Sequence, residues 1–159
     1  MKSLVVYSSQ SGNTKALADA IGDALPGEKT VVSIDESPEN LDDFDMLAVG
    51  FWLMGGKPDP KSSEFLSKTT GKKLFLFATH GAAKGSAHAV GVMDQAKNLA
   101  DGAQVIGSYS CQGEVQPKVI EKASAKQPPP VWLADASAAA GHPDANDIAE
   151  LKAVLQACF

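Results

Sequence analysis

Short apolar runs rich in β-branched and aromatic residues recur along this chain at Leu4–Tyr7, Thr30–Ile34, Met46–Phe51, Lys73–Ala78 and Gln104–Tyr109. Segments of helical period separate them. That alternation predicts a parallel sheet with helices covering both faces. In the first helical segment Leu17, Ile21, Ala24 and Leu25 fall on one face, and Pro26-Gly27 ends it. A second, weaker helix is predicted over Lys61–Thr70. The third runs from Ser86, a suitable N-cap, to Ala100, with Ala89, Val92, Met93, Ala96 and Leu99 as its buried stripe. The last starts near Asp144, just after Pro143, and puts Ile148, Leu151 and Leu155 on one face. Glu36–Asp45 is short and acidic and predicts a loop.

One stretch breaks the rhythm. Ser110–His142 holds a short helix near Lys118–Ala125, then Gln127-Pro128-Pro129-Pro130, which the proline rings keep extended. Val131-Trp132-Leu133 follows. A tryptophan behind a stiff proline run reads as an anchor docking the segment onto the body rather than as a ligand contact, because a Trp buries so much area.

Composition narrows the function. The 159 residues are 44% hydrophobic, enough for one sizeable core, and residues 1–159 read as a single domain. A net charge of -5 disfavours nucleic acid as a partner. All 14 basic residues are lysines. Without arginine there is no Cys-x5-Arg phosphatase, no guanidinium clamp on a phosphate and no Arg-built pocket for the NADPH 2′-phosphate. Cys111 and Cys158 are far apart and lack the spacing of a metal, iron–sulfur or dithiol site, so free thiols and no metal are expected. No segment approaches the roughly 18 apolar residues needed to cross a bilayer, and no secretory leader is evident, so a cytoplasmic protein without a membrane partner is expected.

Candidate chemistry lies where the predicted strands end, since open α/β sheets bind ligands beyond their carboxyl edges. After the first strand comes Ser9-Gln10-Ser11-Gly12-Asn13-Thr14, leading straight into a helix. Its hydroxyls, backbone N–H groups and helix N-terminus together suit a phosphate dianion without a formal cation. An ordinary capped helix entry is the alternative. It matches neither the P-loop of nucleotide hydrolases nor the dinucleotide fingerprint. After the third strand Phe51-Trp52-Leu53-Met54-Gly55-Gly56 joins an aromatic pair to a double glycine. An apolar loop there suits a planar ligand stacked on Trp52 or Phe51, and the bland alternative is a Gly-Gly turn with Trp52 in the core. The fourth strand ends in Thr79-His80-Gly81-Ala82, whose small residues let backbone groups approach a ring edge. His80, as a lone loop histidine, reads as solvated rather than catalytic.

These three loops, in this order, resemble a flavodoxin, whose phosphate loop usually reads Thr/Ser-x-Thr/Ser-Gly-x-Thr. The resemblance covers about Lys2–Tyr109 and the last helix. It implies an α/β, flavodoxin-like three-layer sandwich with a five-stranded parallel sheet in order 2-1-3-4-5, and one non-covalent flavin mononucleotide (FMN). It also implies electron transfer with a protein redox partner, a reductase or an acceptor enzyme. The Ser9–Thr14 turn would take the phosphate, and Gly55-Gly56 could turn a carbonyl toward flavin N5 once that atom carries a proton.

Two departures from the family pattern stand out. The third loop carries no Tyr or Trp to cover the second ring face, and His80, Lys84 and Lys57 replace expected acids. Nearby positive charge favours the anionic reduced flavin, which predicts a higher potential for full reduction than in acidic flavodoxins. The second departure is Ser110–His142 itself, which should bring Cys111-Gln112-Gly113 beside the flavin and cap the site or a partner surface. Nothing near Cys111 in the sequence argues for a lowered thiol pKa, so it reads as a spectator. Two rival functions remain: a small FMN-dependent NAD(P)H/quinone-type reductase, with the long segment as a lid, and a flavin-free interaction module.

Overall fold

In the computed structural model, which describes residues 1–159, strands and helices alternate in the expected order. The elements are β1 (Lys2–Tyr7), α1 (Asn13–Ala24), β2 (Glu28–Ser33), β3 (Met46–Met54), β4 (Lys57–Pro58) and α2 (Pro60–Leu66). They continue as β5 (Lys73–His80), α3 (Ala87–Leu99), β6 (Gln104–Gln112), α4 (Pro117–Ser124) and α5 (Ala145–Gln156). Five parallel strands form the sheet in order β2-β1-β3-β5-β6, which is the expected 2-1-3-4-5 topology. The two-residue β4 is an addition: it folds back antiparallel on the end of β3, pairing Leu53 with Pro58 and Met54 with Lys57.

Because successive strand side chains point to opposite faces, the apolar runs feed two cores. Leu4, Val6, Leu47, Val49, Phe51, Leu74 and Leu76 pack with Phe65 and Leu66 of α2 and Val92, Met93 and Ala96 of α3. Val5, Met46, Ala48, Phe75 and Phe77 face the other way, against Leu17 and Ile21 of α1 and Leu151 and Leu155 of α5. Gly50 belongs here for a packing reason, since a Cβ at that position would lie 2.1 Å from the Phe77 ring.

Three helix entries carry side-chain caps: Asp59 on α2, Ser86 on α3 and Asp144 on α5. The expected second helix stops at Leu66 rather than Thr70, and Thr69 instead bonds the Leu66 carbonyl through both its N–H and its hydroxyl. That side-chain competition is what makes threonine a poor helix residue. Leu99, expected in the buried stripe of α3, is 38% exposed, and Ala100 takes the inward position where the helix ends. Between β2 and β3 the chain forms a short 3-10 helix over Ile34–Glu36 and a turn closed by the Phe44 N–H on the Leu41 carbonyl.

Candidate functional site

The carboxyl ends of β1, β3 and β5 open onto one cavity of about 730 Å³. Ser9, Gln10, Ser11, Asn13 and Thr14 line it from the first loop, Trp52 to Gly56 from the second, and Thr79, His80, Gly81 and Ala82 from the third. Three expected residues stand elsewhere. Phe51 still belongs to β3 and is 0% exposed, its ring in the core, so only Trp52 of the aromatic pair is available to a ligand. Cys111 is likewise inside a strand, fully buried on the α1/α5 face, where burial pushes its thiol up to about 12. Gly12 does not line the cavity. It shapes the turn with φ 90°, a conformation other residues resist, and with its N–H on the Ser9 hydroxyl.

The first loop is a helix start left open. Unlike α2, α3 and α5, α1 has no side chain capping its first turn, so its leading N–H groups remain available beside Ser9 and Ser11. Two other polar side chains of the loop are already committed. Thr14 and Thr79 share a hydroxyl–hydroxyl bond of 2.9 Å, which ties the first loop to the third. The Asn13 amide donates to the Glu114 carbonyl at 3.0 Å, and Gly113 packs so closely on Asn13 that a Cβ there would lie 2.7 Å from its Nδ2.

Trp52 is half-buried at the cavity rather than in the core, and its indole is held by a chain of donors. Its Nε1–H donates to Ser8 Oγ at 3.2 Å, and that hydroxyl donates to Asp59 Oδ1 at 3.1 Å. Asp59, 2% exposed, also accepts the Ser62 N–H at 3.2 Å and the Ser62 hydroxyl at 2.8 Å. The same carboxylate therefore caps α2 and fixes the ring. Gly55 and Gly56 make the tight turn between β3 and β4 with φ 60° and 76°, the pair of positive values that a two-residue hairpin of this hand requires.

His80 is buried rather than solvated. Its Nδ1 lies 2.9 Å from the Ala82 carbonyl and its Nε2 3.2 Å from the Ser110 hydroxyl. A carbonyl can only accept, so Nδ1 carries the hydrogen and Nε2 accepts from Ser110. Burial lowers the His80 pKa below the ordinary histidine value, so the ring is a neutral brace and not a cation at the site. The other two expected cations also lie away from the cavity lining. Lys84 is paired with Glu150 and sits 4.7 Å from the centre of the Tyr109 ring, and Lys57 is exposed on β4. Positive charge reaches the cavity from Lys122 and Lys126 instead, with Glu114 the acid among the lining residues.

Those lysines belong to the stretch that breaks the strand–helix rhythm. Gly113–Gln116, Val119, Lys122, Ala123, Lys126 and Pro130–Trp132 form a whole wall of the cavity. Trp132, expected as an anchor, both docks and lines: a Cβ on Gly81 would lie 3.1 Å from its Cε3. The anchoring expected from sequence is present, and the place of Trp132 in the cavity wall is what sequence did not indicate.

Comparison with known proteins agrees with this architecture. The flavodoxin domain family profile matches residues 4–156. The flavodoxin-like domain-containing protein BilS of Clostridioides difficile (strain CD3) is 31% identical over 119 residues, covering 72% of this chain and 68% of that protein. The crystal structure of oxidised flavodoxin 2 from Bacillus cereus superposes with a TM-score of 0.64 at 19% identity, covering 99% of this chain and 97% of that one. A flavoprotein from Lactobacillus acidophilus NCFM, crystallised in complex with FMN, gives a TM-score of 0.54 at 21% identity over 69% of this chain and 92% of its own. With the profile spanning nearly the full length and the sheet in the matching order, this chain belongs to the flavodoxin domain family.

Proposed function

We propose that this protein binds FMN non-covalently and works as an electron carrier, passing electrons to or from a larger redox enzyme. The observation that carries the reading is a single cavity that joins an uncapped, hydroxyl-lined helix start to an indole fixed at its rim. The family membership and the FMN held by the Lactobacillus relative support the same group. When bound, FMN supplies the redox chemistry, and the protein supplies binding, orientation and electrostatics.

Ser9, Ser11 and the first N–H groups of α1 hold the phosphate, where the helix dipole adds attraction for a dianion. Trp52, locked through Ser8 and Asp59, would offer its indole to one face of the ring. Gly55 and Gly56, at φ 60° and 76°, give the turn beside Trp52 the freedom to present a peptide carbonyl, which would serve as an acceptor at the edge of the bound ring. The Thr14–Thr79 bond keeps the first and third loops in register, and His80 braces the third loop against Ser110 of β6. Lys122 and Lys126 place positive charge at the cavity, which favours the anionic form of the reduced ring.

The reductase reading has one observation in its favour: the wall built by Val115, Val119 and Val131 could hold an organic acceptor against the ring. Titration of the FMN-free protein with FMN, followed by anaerobic addition of NADH, separates the readings. Stoichiometric binding with no bleaching by NADH supports the carrier. Rapid bleaching by NADH alone supports the reductase, and no binding of FMN refutes both.

A further inference from the structure

We infer that Trp132, delivered by the segment between β6 and α5, is the second aromatic face of the flavin site and takes the place of the ring that the third loop lacks. The inference rests on the FMN reading above and assigns a binding role to a part of the chain outside the three loops.

Three observations converge on it. The first is an unfilled requirement: Thr79 to Ala82 carry no Tyr, Trp or Phe, so that loop has no large flat surface to lay on an isoalloxazine. The second is fit. Gly81 receives the Trp132 ring: a Cβ there would stand 2.8 Å from Val115 Cγ2 and 3.1 Å from Trp132 Cε3. The glycine is not needed for a left-handed turn, since its φ is not among the positive values, so close approach explains it.

The third observation is that Trp132 is held in place by bonds to the same loop. The Asp135 carboxylate, three residues on, accepts the Ala83 N–H at 3.2 Å. The Gln112 amide donates to both the Gly81 and Asp135 carbonyls, each at 3.2 Å, bridging the third loop to the segment that carries the tryptophan. Trp52 pairs in register with Thr79, two residues before Gly81, so the indoles of the second loop and of the long segment line one cavity from neighbouring strand ends. A planar tricycle entering there meets an aromatic surface from each. Trp132 is only partly buried, which leaves its ring available for stacking.

The test compares Trp132→Phe and Trp132→Leu with the unaltered protein in FMN and riboflavin titrations, reading affinity and the emission of bound flavin. The leucine keeps apolar packing on Gly81 and removes the π-face. The leucine variant should lose on the order of tenfold in affinity for both flavins, as an aromatic stack of this size implies, while the phenylalanine variant stays within about threefold. Trp52→Leu alone should still quench bound flavin, and only the variant with both tryptophans replaced by leucine should bind it brightly. Circular dichroism and the urea midpoint show whether each variant is folded. An unchanged affinity in folded Trp132→Leu, or full release of emission in Trp52→Leu alone, overturns the inference. Failure of the unaltered protein to bind FMN would instead overturn the function proposed above.

Discussion

Replacing Asp59 with alanine tests whether one buried carboxylate sets both the start of α2 and the pose of Trp52. The substitution removes the N-cap of α2, which costs about 1 kcal/mol. It also leaves the Ser8 and Ser62 hydroxyls, both in buried residues, without their acceptor, at roughly 1–3 kcal/mol each. Part of that is returned, because a carboxylate that is 2% exposed no longer has to be kept out of water. The balance is a loss of about 2–4 kcal/mol, against a total stability of roughly 5–15 kcal/mol for such a domain. In melting temperature that corresponds to roughly 4–16 °C for a chain of this size. The assay is urea unfolding of the FMN-free protein by circular dichroism, so that ligand binding does not mask the change. In a Trp132→Phe background the emission of Trp52 reports the release of its indole. Asp59→Asn keeps a capping oxygen and should stay within about 1 kcal/mol of the parent. A loss under about 0.5 kcal/mol for Asp59→Ala, with Trp52 emission unchanged, would refute the reasoning.

Replacing Lys122 and Lys126 by glutamine should lower the potential for full reduction of bound FMN on the order of 20 mV per charge, a screened Coulomb effect, and Lys57→Gln should leave it in place; potentiometric titration reads both. In the folded protein a thiol reagent should modify Cys158 and spare Cys111, which is fully buried and whose thiol is pushed up to about 12; mass spectrometry before and after unfolding checks the site. His142 gains a 2.6 Å bond from Nδ1 to Asp147, and that bond raises its folded pKa. Its contribution is therefore complete below the unfolded value of about 6.5 and fades as pH rises through the higher folded value, so His142→Gln should lose stability relative to the parent at acid pH and little above neutrality. Gly50→Ala forces a Cβ to 2.1 Å from the Phe77 ring and should cost about 1–3 kcal/mol or block folding, read by the same urea assay.

The fold was legible because its signals are local. Each strand is a short apolar run, each helix a 3.6-residue stripe, and Asp144 and Ser86 mark helix entries by their own chemistry. The first loop was legible for the same reason: strand, turn and helix start are consecutive in sequence. Legibility failed where it depends on which way a side chain points. Phe51 and Trp52 are adjacent aromatics, and in a strand buried on both faces neither neighbour pattern says which is inward. Once β3 is seen to continue to Met54, Phe51 joins Val49 in the core, and Trp52 reaches with its indole to Ser8 just past the end of β1. Cys111 falls to the same cause, since β6 runs on to Gln112, beyond the Tyr109 that the apolar run suggests.

The wall formed by the long segment was illegible for a different reason. Its contacts join Gly81 to Trp132 and Gln112 to Asp135, pairs that no periodicity links. What sequence does offer is an inconsistency: a glycine and small neighbours at a strand end that should face a ring, and a tryptophan elsewhere with no assigned surface. Each is ambiguous alone. Small residues at Gly81 and Ala82 are as compatible with a close-packed turn as with a ligand, and Trp132 with any apolar patch. Together they specify each other, because a bare backbone at Gly81 is what allows the indole to lie down there. The same logic relocates the charge: Lys84 is drawn to Glu150 across the carboxyl edge, while Lys122 and Lys126, one helical turn apart on or just past α4, arrive with the tryptophan's own segment. The departure from the family pattern and the extra wall of the cavity are thus one structural event, the return of the chain after β6 over the ends of β1 and β5.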